Sequence, residues 1–165
     1  MRCLDVGVGA RTYRFRPRVT YECTEPIFVD VELPDEYLRK RFVFVVASVE
    51  YLPFRDNVFD YAVASHVIEH VNDPSKALSE LARVVRKGSR VMIRVPNFLN
   101  VNAYRDPTHR HVFSVFKLVE LGRRLGLRVV FPLRAGSLLP KPIRKVLTIL
   151  MNILCEELVI FYEKR

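Results

Sequence analysis

Residues able to do chemistry gather in three parts of this sequence. Asp106, His109 and His111 fall within one run, Asp-Pro-Thr-His-Arg-His. Histidine titrates near neutral pH, so either ring could serve there as a general base. Equally, Asp106 and Thr108 could cap a turn while the rings pack on aromatics such as Phe113. A second group is Ser65-His66, followed by Glu69 and His70. The spacing His66-Val-Ile-Glu69-His70 matches the H-x-x-E-H pattern, in which two histidines on one helix face share a zinc ion. No third ligand is evident at a fitting distance downstream, and no metal is expected. The third group is Asp5-Val-Gly7-Val-Gly9, together with Asp30 further on. Glycine serves where backbone must approach a ligand closely or take positive φ. An ionised carboxylate such as Asp30 can accept hydrogen bonds from two hydroxyls at once.

Such residues act together only if the chain presents them at one edge. In an open parallel sheet, ligands bind at the carboxyl ends of the strands. Arg2 to Val6 reads as a first strand and Ile27 to Asp30 as a second. Phe42 to Ala47 is a continuous apolar run, suited to a buried parallel position. Phe59 to Ala64 is a fourth strand, with Ser65 and His66 at its tip. Asp73-Pro74 opens a helix with an apolar stripe at Ala77, Leu78, Leu81, Ala82 and Val85, and Lys87-Gly88 is expected to end it. Arg90 to Val95 is a fifth strand, and Phe98 to Arg110 a long loop. Ser114 to Leu125 reads as a helix, Leu127 to Leu133 as a strand, Pro140 to Cys155 as a helix and Leu158 to Glu163 as the last strand. Alternating strands and helices predict a doubly wound α/β fold over one domain, residues 1–165. Residues 12–26 hold Pro17 and Pro26 among β-branched residues, poor material for the helix that should join the first two strands.

The run from Leu52-Pro53-Phe54 through Phe59-Asp60, Ser65-His66 and Glu69-His70-Val71 to Asp73-Pro74 resembles the class I S-adenosylmethionine-dependent methyltransferases, in particular their methyltransferase 11 branch. The resemblance implies a mostly parallel Rossmann-like sheet with a reduced first helix, and a last strand running antiparallel. It implies S-adenosylmethionine as cofactor, with Asp5, Gly7 and Gly9 under its methionyl part; the third glycine position holds Arg11. Asp30 would take the ribose hydroxyls, with Glu32 the alternative in a shifted register. Ser48 stands where the family has an aspartate for the adenine amino group, and Val49 would offer backbone to the ring. Ser65 and His66 would lie at the cofactor edge. His109 or His111 would be the base where the acceptor arrives protonated, with His66 second.

Composition bounds the remaining choices. A length of 165 residues with half of them hydrophobic can bury a core, as a soluble globular chain does. A strand and turn follow Met1 almost at once, so no signal peptide is expected. Cys3, Cys23 and Cys155 are odd in number and widely spaced, predicting neither a disulfide framework nor a metal pair, and pointing to a cytoplasmic protein. Absence of glutamine and an excess of arginine over lysine suit a thermophile. The net charge of +9 is concentrated in residues 83–155, which alone carry +13. That half could draw nucleic acid, as could Arg11, Arg14, Arg16 and Arg18 alternating with Tyr13 and Phe15. The preferred reading is a solvated surface and a loop whose aromatics fill the gap left by the missing helix. No Asn/Asp-Pro-Pro-Tyr/Phe signature follows the fourth strand, which argues against methylation of base amines. The apolar C-terminal helix is too short to be a transmembrane segment. A small-molecule or protein acceptor is favoured, with a homodimer or partner subunit able to close the site. Two alternatives stay open: a non-catalytic binding module on this fold, and an RNA-binding methyltransferase.

Overall fold

A computed structural model describes residues 1–11, 15, 17, 18, 23–131 and 141–165. Seven strands form one sheet in the order β3-β2-β1-β4-β5-β7-β6. They are β1 (Arg2–Val6), β2 (Glu25–Asp30), β3 (Val43–Val46), β4 (Phe59–Ser65), β5 (Val85–Pro96), β6 (Arg128–Val130) and β7 (Glu157–Glu163). Pairings from β3 through β5 are parallel, and β7 runs antiparallel between β5 and β6. The doubly wound, mostly parallel architecture is thus present. β4, at the centre, is small and apolar because both its faces are covered: Ala62, Val63 and Ala64 are fully buried.

The chief helices are α1 (Glu36–Arg41), α2 (Pro74–Val84), α4 (Val115–Arg124) and α5 (Lys141–Leu154), with a single turn α3 (Asn102–Arg105) between. Asp73 caps α2 by accepting from the amides of Ser75 and Lys76, with Pro74 in the first turn. Its stripe of Ala77, Leu78 and Leu81 is buried against the sheet. Ser114 caps α4 in the same manner.

Several expectations are corrected. β3 is an edge strand whose Val43 and Val46 are exposed, so its apolar run does not mark a buried position. α2 ends at Val84, and Lys87-Gly88 lies beyond it. The pairing of β4 with β5 jumps from Phe59↔Val85 to Tyr61↔Arg90, so Arg86 to Ser89 loop out and Gly88 supplies the positive φ for that excursion. α2 starts at Pro74 as expected, but the H-x-x-E-H residues are not on a helix: Ile68 to His70 form a turn and Val71 a bend. Cys3 and Cys23 form a disulfide, where the sequence predicted none. Their spacing carries no signal; β1–β2 pairing brings them together, with the amides of Thr24 and Glu25 both donating to the Met1 carbonyl. The long loop after β5 contains α3.

Phe15 packs edge-on against Phe28 and tilted against Phe42 at centroid distances of 5.2 and 4.9 Å, the gap-filling role expected of an aromatic there. Tyr13, Arg14, Arg16 and Leu133 lie outside the described residues. α5 leaves Ile143, Val146, Leu147, Leu150 and Leu154 exposed, while Ile153 packs on the core. Among the described residues, no helix is long and apolar enough to cross a membrane.

Candidate active site

The carboxyl ends of β1, β2 and β4 open into a cavity of about 460 Å³ whose wall includes Gly7, Asp30, Ser48, Val49, Glu50 and His70. Gly7 ends β1 at φ +74°, and a Cβ on it would lie 2.2 Å from Val67 Cγ2. Only glycine lets the strand turn under that side chain. Asp30 ends β2 beside it. One carboxylate oxygen accepts from the Gly9 amide at 2.9 Å and the other from the Glu32 amide at 3.1 Å, leaving lone pairs on both for a ligand. Ser48 Oγ accepts from the Glu50 amide at 3.2 Å, forming a tight polar turn at the far end of the cavity. Glu50 in turn accepts from the Asp73 amide at 2.9 Å, linking this wall to the start of α2.

The residues expected around the cofactor are thus partly assembled. Gly7, Asp30, Ser48 and Val49 line the cavity together. Gly9 stands behind it, holding Asp30. Asp5 is fully buried and accepts from the Arg18 amide, so it fastens the segment before β2 to β1. Ser65 is buried in β4, with its hydroxyl unpartnered. The cavity has the size of a small-molecule site. A carboxylate with free lone pairs, a glycine floor and a polar turn fit an adenosine-bearing cofactor.

A second cavity, about 560 Å³, adjoins the first and is lined by Asn100, Arg105, Asp106, His109 and Glu157 among others. His66 lines both. It sits at φ 57°, uncommon for a residue with a side chain, and its amide donates to the Arg94 carbonyl at 2.8 Å. Its ring is held between two carboxylates: Nδ1 lies 3.4 Å from Glu69 Oε1 and Nε2 lies 3.1 Å from Glu157 Oε1. Contact with Glu69 raises its pKa above the ordinary histidine value; partial burial opposes this and Glu157 adds to it. The two carboxylates thus hold the charged form of His66 more firmly than in a free histidine, against the nearby Arg94 guanidinium.

The loop after β5 is fastened to the β4 tip. The Glu69 carbonyl accepts from the amides of Arg110 and His111 at 2.8 and 3.1 Å. Buried Asn97 donates to the carbonyls of Ile153 and Cys155 at 2.7 and 2.6 Å, closing the loop against the end of α5. His109 reaches the second cavity, and its Nδ1 donates to the Ala103 carbonyl at 3.0 Å. His111 is not brought there: its Nε2 is 3.0 Å from the Val71 carbonyl, and the ring packs towards Phe113. Asp106 caps the turn, accepting from both the amide and the hydroxyl of Thr108. Glu50, Arg105 and Glu157 escaped the sequence reading. Glu157 begins β7, and no local pattern tells that an antiparallel strand will carry it to His66.

Residues 4–93 match the family model described as a methyltransferase domain. The chain belongs to that family. A ubiquinone/menaquinone biosynthesis C-methyltransferase of Idiomarina loihiensis is 34% identical over 105 residues, covering 56% of this chain and 41% of that protein. An uncharacterized methyltransferase of Bacillus subtilis, YcgJ, is 32% identical over 129 residues, covering 66% and 49% respectively. The chain thus spans under half the length of these curated relatives. Among solved structures, a Thermotoga maritima S-adenosylmethionine-dependent methyltransferase, described as a possible histamine N-methyltransferase, superposes with a TM-score of 0.66 at 25% identity. That match covers 99% of this chain and 82% of the other. This methyltransferase domain therefore shares the sequence pattern of its family and the overall fold of that structure.

Proposed function

We propose that residues 1–165 form a single methyltransferase domain that binds S-adenosylmethionine and transfers its methyl group to an acceptor in the second cavity. The observation that carries this reading is the pair of adjoining cavities with His66 common to both. A cofactor in the first, with ribose on Asp30 and adenine between Ser48 and Val49, would direct its sulfonium towards the second. The acceptor's lone pair attacks the methyl carbon as the carbon–sulfur bond breaks, and the sulfonium becomes a neutral thioether. Most of the acceleration comes from holding nucleophile, methyl and sulfur in line. Where the acceptor carries a proton, His109 has an unprotonated Nε2 to receive it, since its Nδ1 donates to a carbonyl. His66, whose charged form is favoured by Glu69 and Glu157, would in that form serve as a donor to the acceptor.

The acceptor is a small molecule or a protein. The exposed apolar side chains of α5 suit a second copy or a partner subunit that would close the site. A cytoplasmic thermophile protein is consistent with the Cys3–Cys23 bond, since disulfides persist inside hyperthermophile cells. Calorimetric titration with S-adenosylmethionine tests the core proposal. One-site binding is expected, and Asp30→Ala should weaken it by about 1.5–3 kcal/mol, the worth of hydrogen bonds to a charged group. No heat and no thermal shift at saturating cofactor would reduce the chain to a non-catalytic module on this fold.

A further inference from the structure

We propose that Glu69, His70 and His109 form a divalent-cation site of the zinc class at the seam between the two cavities. One ligand atom from each residue lies within 4.8 Å of the others, and the two imidazole rings are 4.8 Å apart at their centroids. Glu69 is the anchor. Its side chain is 1% exposed, and among the described residues neither carboxylate oxygen accepts a well-aligned hydrogen bond, His66 Nδ1 facing Oε1 at 3.4 Å and nothing facing Oε2. A buried carboxylate left without donors is costly, and a cation supplies what is missing. His66 at 3.4 Å engages Oε1 alone and at a distance long for a charge-assisted hydrogen bond, which leaves Oε2 for a cation.

The two histidines are already set as ligands. Thr108 gives its hydroxyl proton to Asp106 at 2.6 Å, so the His70 Nδ1 that lies 3.0 Å from Thr108 Oγ1 must be the donor there. His109 Nδ1 faces the Ala103 carbonyl, which can only accept. In both neutral rings the proton is therefore on Nδ1 and the lone pair on Nε2. Metal-binding histidines are oriented in this way, through a carbonyl, hydroxyl or carboxylate behind the ring. The Asp106–Thr108–His70 chain supplies a carboxylate at its end.

Two imidazoles and one carboxylate suit zinc, which takes a water or substrate atom at its fourth position. Bonds of about 2.0–2.1 Å would draw the three ligand atoms together by up to roughly 1.5 Å, within reach of side-chain rotation. The H-x-x-E-H spacing is misleading in this fold. Because Val67 to Val71 do not form a helix, His66 and His70 do not share a face, and the second imidazole comes from the loop after β5. His109 also lines the second cavity, so the open position is available to an oxygen of the acceptor. A cation there would lower the pKa of such a hydroxyl, in place of His109 acting as base. That role rests on the methyl-transfer reading; the binding of the cation does not.

The test uses tag-free full-length protein in a Cys155→Ser background, titrated with Co(II) and competed with Zn(II), in the absence of S-adenosylmethionine. One equivalent of Co(II) giving visible d–d absorption that zinc abolishes is expected. Thr108→Val should weaken binding by about 10–100-fold, as losing an outer-shell partner does. Glu69→Gln and His109→Gln should each weaken it further. Absence of d–d absorption at millimolar Co(II), or affinity unchanged in both Glu69→Gln and His109→Gln, would overturn the site. Should those variants fail to fold, the imidazole resonances of the parent protein decide: zinc must shift those of His70 and His109, and unshifted signals reject the proposal. A cofactor titration that fails while Co(II) binds would reject methyl transfer and leave the metal site standing.

Discussion

At the scale of single residues, Gly7 shows how much the floor of the first cavity demands of one position. Its φ of +74° and the 2.2 Å approach of Val67 Cγ2 to a built Cβ impose separate costs. The left-handed backbone costs a non-glycine residue about 1–2 kcal/mol. Forcing a methyl against Val67 adds about 1–3 kcal/mol of overpacking. Gly7→Ala should therefore lower the free energy of unfolding in urea by roughly 2–5 kcal/mol. In a double-mutant cycle, Val67→Ala should return the overpacking share and leave the backbone share in place. A coupling energy of zero would show that the strand end moves away from Val67. Gly7 and Asp30 were legible in the sequence because their meaning is local: a glycine after a strand, a carboxylate ending one. The places of Glu157 beside His66 and of His109 near Glu69 were not legible. They depend on which distant segments the sheet order brings side by side.

At the scale of elements, α2 does more than cover the sheet, since its last turn holds the 47–57 connection in place. Arg83 donates to the carbonyls of Phe54 and Leu52 at 2.8 and 3.0 Å and to Asp56, while Glu80 accepts from the Leu52 amide at 2.9 Å. The Arg83 guanidinium holds the Glu80 carboxyl below its ordinary value of 4.5; burial opposes this, and the Leu52 amide adds to the lowering. A depressed carboxyl stabilises the fold above the unfolded-state value and loses that contribution as pH falls through the folded-state one. Glu80→Gln should then cost about 1.5–3 kcal/mol at neutral pH. The gap from the parent should close as acid unfolding is followed below pH 4.5, and a gap independent of pH would assign the loss to packing. The disulfide is the other tie between elements. Its half-cystines are 20 residues apart, so reduction should lower stability by about 3 kcal/mol on the chain-entropy account. Melting with and without reductant, with non-reduced peptide mapping, checks this. Element type and order were readable from apolar runs and caps; the boundary of α2 was not. The Lys87-Gly88 signal belongs to a strand excursion, and glycine serves either purpose.

For the whole molecule, the question is what the basic half attracts. Residues 83–155 carry +13, enough to steer nucleic acid if the charge were free. Many of its arginines are instead committed to carboxylates. Arg83 pairs with Asp56 and Glu80, Arg86 with Asp60, Arg90 and Arg128 with Glu163, Arg94 with Glu157, and Arg123 and Arg124 with Glu120. Each exposed pair is worth little to stability, about 0–1 kcal/mol. Their consequence is spatial: positive charge is interleaved with negative along β5, β7 and α4 and does not form an open stripe. A nucleic acid would have to displace those carboxylates before releasing counterions of its own. Binding of RNA or duplex DNA should therefore be weak at low salt, with a shallow slope against log salt, and absent near 0.2 M, by the counterion relation in which each phosphate contact adds about 0.7–0.9 to the slope. Fluorescence anisotropy with labelled RNA across a salt series measures this. A steep slope with binding that survives physiological salt would make the acceptor a nucleic acid, and would move attention from the polar second cavity to the unpaired cations around it.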